Sequence, residues 1–379
     1  MFGNVQANPG ELSSEELKNA KSYQRIRNWL TLVDIVLTIL LLCVMMGFGI
    51  QNFFLWLAGI SNHLWLELFL FFLGFSLFFL VFHLPFRFYS GYLLEKRYQL
   101  SNHTPQSWVM ETLKKEILSF VLTTALVFLL FLLVWKNPKD WWWWTWLAYA
   151  GVTILLGKLF PILIIPLFYK YDPLPEGELR ARIVTLANRF GMNVKNIYSL
   201  NLSKTTKKAN AAFLGLGKTK RIVLSDTLIQ NFTNDEIETV LAHELGHFKH
   251  KDIWKQLALG MIMSWMAFWL VHRVLDSVAA DFGYLGIKDL YYFPLLCLVF
   301  YSFSLIVSPL GNFFSRYVEK QADLFALRAT RDQDAFISAM EKLSQMNLAD
   351  PSPHPLIEFL LYDHPAIGKR IALAQKFAP

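Results

Sequence analysis

His243-Glu244-Leu245-Gly246-His247 is the stretch of this chain best equipped for chemistry. Residues four apart on a helix share a face, so His243 and His247 could grip one Zn²⁺ through neutral imidazoles. Glu244, beside them, could accept a proton from a water that the metal activates. A helix is expected here. Thr233 followed by Glu236 reads as a capping box, and Val240 and Leu241 supply an apolar side. Gly246 weakens that helix; a missing side chain offers room for a second backbone or a substrate to come close.

A peptidase zinc needs a third protein ligand and an open fourth position. Ser315-Arg-Tyr-Val-Glu-Lys-Gln-Ala-Asp323 is helical in period and polar on one face. Glu319 is the candidate ligand. Asp323, one turn on, could hold a ligating imidazole by its free N–H, and Arg316 is placed with it around the ligands. The plain alternative is a charged helix in which Arg316 pairs with Glu319.

The elements that must position these groups sit in a membrane. Of 379 residues, 54% are hydrophobic and 17% charged, too apolar for an ordinary soluble domain. The net charge of +7 suits the anionic face of a membrane better than nucleic acid. Cys43 and Cys297 lie in apolar runs and read as buried small hydrophobes, with no disulfide framework. Residues 1–28 do not resemble a cleavable signal peptide, and Glu15–Arg27 could form an amphipathic helix on the membrane surface or, equally, a plain solvated helix. Spanning runs are expected near Trp29–Ile50, Trp65–Phe86, Ile117–Trp135, Trp142–Phe168, Ile253–Val271 and Tyr291–Leu310. Pro161 and Pro166 should kink the fourth. Asn52–Ile60, too short to span, reads as an interfacial loop, and Trp141–Trp144 as an aromatic belt. Lys158 should face protein or water, or snorkel to the interface.

Lysine and arginine crowd one side. Residues 51–64 have none, whereas Lys18, Lys21, Arg25, Arg27, Arg87, Lys96, Arg97, Lys114, Lys115 and the 169–252 segment share the other. The positive-inside rule then places both termini and the metal-binding helix in the cytoplasm. Four parts follow: 1–171 with spans one to four, 172–252 as a cytosolic insertion, 253–315 with spans five and six, and 316–379 with the third-ligand helix and C-terminal helices.

Within the insertion, Leu179–Phe190 has helical period, and Asn196–Asn201, Asn210–Leu216 and Arg221–Leu224 are strand-like, with a hairpin turn at Gly217–Lys220. An edge over Asn210, Ala211, Ala212, Phe213 and Leu214 could pair with an extended peptide, or the sheet could simply brace the helix. A helix over Asp332–Met346, a turn from Pro351 to Pro355 and a last helix beginning at Pro365 complete the chain; His364 stands at that helix's start.

His243-Glu-Leu-Gly-His247, Ser315-Arg316 with Glu319, Ala322-Asp323 and Asp363-His-Pro365 together resemble the type I CAAX prenyl endopeptidases, integral-membrane zinc metalloproteases of the a-factor-converting type. Pro173-Leu-Pro-Glu-Gly177, Lys208-Ala-Asn-Ala211 and Lys220-Arg-Ile-Val-Leu-Ser-Asp-Thr227 extend the likeness from about residue 87 to the end. The resemblance implies one Zn²⁺ per chain on His243, His247 and Glu319, with Glu244 as base. It also implies that Asn210 and His364 contact the substrate backbone or the tetrahedral intermediate. The implied fold is mainly α: a polytopic barrel of membrane helices around a chamber, with a small cytosolic α+β insertion carrying the zincin-type helix. Eukaryotic members have seven spans against the six counted here, the first being the one lacking. The implied substrate is a peptide or protein cut near a C-a-a-X terminus, with or without a prenyl group. No nucleic acid and no particular oligomer is implied. A quality-control metalloprotease of the inner membrane is the alternative, and a channel or zinc carrier a more distant one.

Overall fold

The computed structural model describes residues 14–192, 196–215, 221–282 and 290–378. Its first helix, α1 (Ser14–Gly47), joins the charged N-terminal stretch to the first span. The helix expected over Glu15–Arg27 therefore forms, as the start of this rod and not as an element of its own. No Pro or Gly interrupts the sequence between them, and Ala20 and Tyr23 are buried rather than floated on lipid. Tyr23 packs with Leu94 and Leu100. Its hydroxyl donates to Glu95, whose other oxygen lies 2.9 Å from Lys208 Nζ.

The interfacial loop expected at Asn52–Ile60 is instead helix α2 (Ile50–Ala58). Gln51, Phe54 and Ala58 are its buried positions, a helical spacing that an apolar tally along the chain obscures. α2 lies against α3 (Leu64–Phe88), where a Cβ on Gly74 would sit 2.7 Å from Phe54 Cδ1. A π turn leads from α3 into α4 (Leu94–Arg97). The next span, α5 (Pro105–Lys136), starts at Thr104, capped reciprocally with Ser107. α6 (Trp141–Leu159) breaks into π and 3-10 turns at Phe160–Ile164 and Ile165–Leu167, where Pro161 and Pro166 forbid regular bonding. Arg221 takes up the freed Pro161 carbonyl at 3.4 Å. Lys158, just before the break, is exposed. Trp141–Trp144 is only partly a belt: successive helical residues point in different directions, so Trp141 is buried while Trp143 and Trp144 face outward. Cys43, expected to be buried, is also exposed, on a spanning helix whose outer face needs no burial.

Outside the spans, β1 (Tyr171–Pro173), α7 (Glu178–Arg189), β2 (Ile197–Leu200), β3 (Ala211–Leu214) and β4 (Arg221–Ser225) form a helix on a small sheet. The strand order is β1-β2-β4-β3, with β2 parallel to β4 and the other pairs antiparallel. β1, three residues long and ending in Pro, has too little periodicity to be read in advance. β3 is one of the sheet's two edges. The expected turn at Gly217–Lys220 lies outside the described residues, though the strands flanking it do pair.

α8 (Asp226–Asn231) leads into α9 (Asn234–Lys249), capped by Thr233 and Glu236 as its sequence requires. After it come α10 (Asp252–Phe282), α11 (Phe293–Thr330), α12 (Gln333–Asn347), α13 (Pro355–Leu361) and α14 (Ile367–Gln375). α11 passes residue 315 unbroken, so span six and the Glu319 helix are one rod. Ile183, Leu186, Ile222, Leu241, Leu245 and Phe336 share a buried core that joins sheet, α9 and α12. Among the described residues six helices are long and apolar enough to cross a membrane. The fold is mainly α, with the small sheet as its only β component among those residues.

Candidate metal centre

α9 and α11 cross unusually closely. A Cβ on Gly246 would lie 3.0 Å from the Cα of Ala322 and 3.3 Å from its carbonyl oxygen. Of the two uses open to Gly246, the structure shows the approach of a second backbone. That approach brings one ligand atom each of His243, His247 and Glu319 within 4.8 Å of one another.

The Nε2 atoms of His243 and His247 are 3.1 Å apart. Each lies 3.2 Å from a Glu319 oxygen, Oε2 for His243 and Oε1 for His247. Both Nδ1 atoms are turned the other way, onto carboxylates: His243 to Asp323 Oδ1 at 2.8 Å and His247 to Asp252 Oδ2 at 3.2 Å. A neutral imidazole that donates through Nδ1 keeps its Nε2 lone pair for an ion. Glu319 Oε2 is buried and has no hydrogen-bond partner. A buried carboxylate whose two oxygens each face an imidazole Nε2, one of them without a donor, fits a divalent cation.

Asp323 is itself held. Arg370 on α14 donates to it from Nε at 2.9 Å and Nη2 at 2.6 Å, and both side chains are buried. Asp252 is placed by the tight turn at Lys251, whose φ is 57°, and accepts from Lys255 at 2.9 Å. Sequence reasoning missed both Asp252 and Arg370. Asp252 begins a different helix from the histidine it serves, and Arg370 is 47 residues from Asp323, so no local period marks either.

His364 reaches the same centre: its Nε2 is 3.4 Å from Glu319 Oε1 and its Nδ1 is 2.9 Å from Asp363 Oδ1. The Asp363 hydrogen bond, opposed by burial and aided by Glu319, raises its pKa above the ordinary histidine value. The loop carrying His364 is tied at both ends. Buried Glu358 accepts the Ala366 N–H at 3.1 Å and a bond from Lys369. Arg316 donates to the carbonyls of Glu358, at 2.9 Å, and Tyr362. Arg316 thus engages this loop and not Glu319, the pairing a plain charged helix would show.

Glu244 is half-buried. With His243, His247, Glu319 and His364 it lines a cavity of about 640 Å³, walled on one side by Phe213 and Leu214 of β3. Asn210, Ala211 and Ala212 are not among the cavity's lining residues. Asn210 is exposed just before β3, its N–H donating to Ser225 Oγ at 2.9 Å. Among the described residues the one group able to hold a metal lies on α9 and α11, without the repeat across spans that a carrier would need.

Residues 173–378 match the profile of peptidase family M48. Residues 6–170 match that of the CAAX prenyl protease N-terminal region, described as five membrane helices. The uncharacterized metalloprotease YhfN of Bacillus subtilis is 29% identical over 378 residues, 98% of this chain and 88% of that protein. CAAX prenyl protease 1 of Saccharomyces cerevisiae is 31% identical over 307 residues, 76% of this chain and 67% of its own. The crystal structure of S. mikatae Ste24p shares the fold, with a TM-score of 0.81 at 24% identity, over 98% of this chain and 92% of that one. Every residue of the centre falls inside the M48 match. The chain belongs to peptidase family M48, as a metalloendopeptidase carried in the membrane by several spans.

Proposed function

We propose that the protein is a zinc endopeptidase that cuts peptide bonds near the C-terminus of C-a-a-X-type substrates, with or without a prenyl group. The carrying observation is the convergence of His243, His247 and Glu319 with their outer nitrogens locked by Asp323 and Asp252. Bound there, zinc would supply Lewis acidity to water and to the scissile carbonyl.

The chain's own groups do the rest. Glu244 accepts the proton of the attacking water and returns it to the leaving amine. The Nε2 of His364, its Nδ1 engaged by Asp363, donates to the developing oxyanion, a contribution of about 3 kcal/mol in comparable sites. Asn210 is assigned to the substrate backbone further along the same edge. The peptide lies extended against β3, over Ala211, Ala212, Phe213 and Leu214, because of the sheet's two edges β3 is the one whose end walls the cavity. A prenyl chain would lie among the membrane helices, in a chamber between them. Lysine and arginine placement supports a cytoplasmic site and cytoplasmic termini.

The test compares a farnesylated C-a-a-X peptide with its unmodified twin, using the Glu244→Ala protein as blank. Preferential cleavage of the farnesylated peptide supports the assignment. Equal kcat/KM for both would show that the prenyl group is not read, and equal cleavage of a peptide lacking the C-a-a-X end would move the assignment to a general membrane peptidase, the quality-control role.

A further inference from the structure

Apart from the metal centre, and sharing no lining residue with its cavity, α1 and α13 enclose a groove of about 530 Å³. One stripe of α1 forms its floor: Lys21, Arg25, Asn28, Leu32 and Ile35, spaced as one helical face. Polarity changes along this stripe in order, from cations through an amide to aliphatics. Fourteen residues of helix, at 1.5 Å each, cover roughly 21 Å. One leaflet of a bilayer with its headgroups is about as thick, at half of ~40–45 Å.

The opposite wall is α13 with the turn before it. Leu356, Leu360 and Leu361 are exposed and line or flank the apolar end, as does Trp29 of α1. The depth of this wall is set by α11: Asn312 donates to the Leu360 carbonyl at 2.8 Å, just beyond the apolar run that ends at Leu310. Trp29 opens the apolar run of α1. Both helices therefore place the groove where hydrocarbon meets headgroups.

The charged end lacks a protein partner. Among the described residues neither Lys21 nor Arg25 has an ion pair or hydrogen bond. Asp350, also in the lining, is occupied by the Ser352 N–H at 3.0 Å. His354 spends its Nδ1 on the Leu356 N–H at 3.2 Å.

We infer that this groove binds one anionic phospholipid, its phosphate between Lys21 and Arg25 and its acyl chains along Leu32, Ile35, Leu356 and Leu360. The inference rests on the membrane-spanning reading and is independent of the peptidase substrate. The occupant is a lipid and not a free anion because cations and aliphatics share one continuous wall.

The full chain, reconstituted in phosphatidylcholine nanodiscs doped with phosphatidylglycerol, is stripped of bulk lipid and weighed by native mass spectrometry. Wild type should retain one phosphatidylglycerol. Lys21→Gln with Arg25→Gln should lower that occupancy about twenty-five-fold, at about fivefold per basic residue, with an unchanged unfolding midpoint. Should that pair misfold, Leu356→Ser, which alters only the acyl end, is expected to lower retention too. Undiminished retention in a folded variant would overturn the site. So would displacement of the lipid by soluble glycerol phosphate, which would mark a plain anion site.

Discussion

Gly246 of α9 and Ala322 of α11 meet backbone to backbone, with 3.0 Å between the Ala322 Cα and the place where a Gly246 Cβ would stand. The candidate ligands His243 and His247 flank this contact on one helix, and Glu319 with Asp323 does so on the other. Gly246→Ala would gain about 1 kcal/mol of helix propensity. Overpacking costs about 1–3 kcal/mol, and here the clash is with main chain, which cannot rotate away. A net loss of up to about 2 kcal/mol is expected, with the helices pushed apart and less metal bound. Unfolding midpoint and elemental analysis read both; wild-type values for both would show that the crossing has slack.

Glu244→Ala should keep fold and metal while lowering turnover about 10²–10⁴-fold, the usual range for a general base. Retained activity with full metal content would remove Glu244 from that role.

The two outer carboxylates should part company on substitution. Losing either should weaken metal binding about 10–100-fold. Asp323→Asn also strands buried Arg370, a loss of about 3–5 kcal/mol when a buried pair is broken. Asp252→Asn leaves only Lys255, whose side chain is half exposed at 52%. Metal titration should therefore show similar losses in both, while thermal unfolding shows a large loss only for Asp323→Asn.

Arg316→Ala should release the loop that carries His364, because the carbonyls of Glu358 and Tyr362 lose their shared donor. Turnover should fall with metal content unchanged, and Arg316→Lys should recover part of it. Loss of metal in Arg316→Ala would instead tie Arg316 to the ligands themselves.

Acid should act through the capping box of α9. Burial raises the Glu236 pKa, but Lys342, Ser338 and the Thr233 N–H together hold it below the ordinary glutamate value. A carboxyl lowered in the folded state contributes stability that is full above its unfolded pKa and is lost as pH falls through the folded one. Glu236→Gln should thus be less stable than wild type at neutral pH, with the gap closing in acid. A gap independent of pH would show that the ionised carboxylate contributes nothing.

The sequence alone determined what is local or repetitive. Capping box, His243–His247 spacing and six apolar runs each lie within one element, where helical period and length carry the information. Glu319 was legible as a candidate beside the two histidines, since a third ligand was required and its helix had the right polar face. Tertiary structure decided whatever depends on two elements meeting. Gly246 opposes its own helix until Ala322 arrives; α2 looks like a loop until Phe54 finds the space over Gly74. Asp252 and Arg370 carried no signal, because neither lies at a helical spacing from the residue it supports. Side-chain period records which face a residue takes, and only packing settles what that face meets.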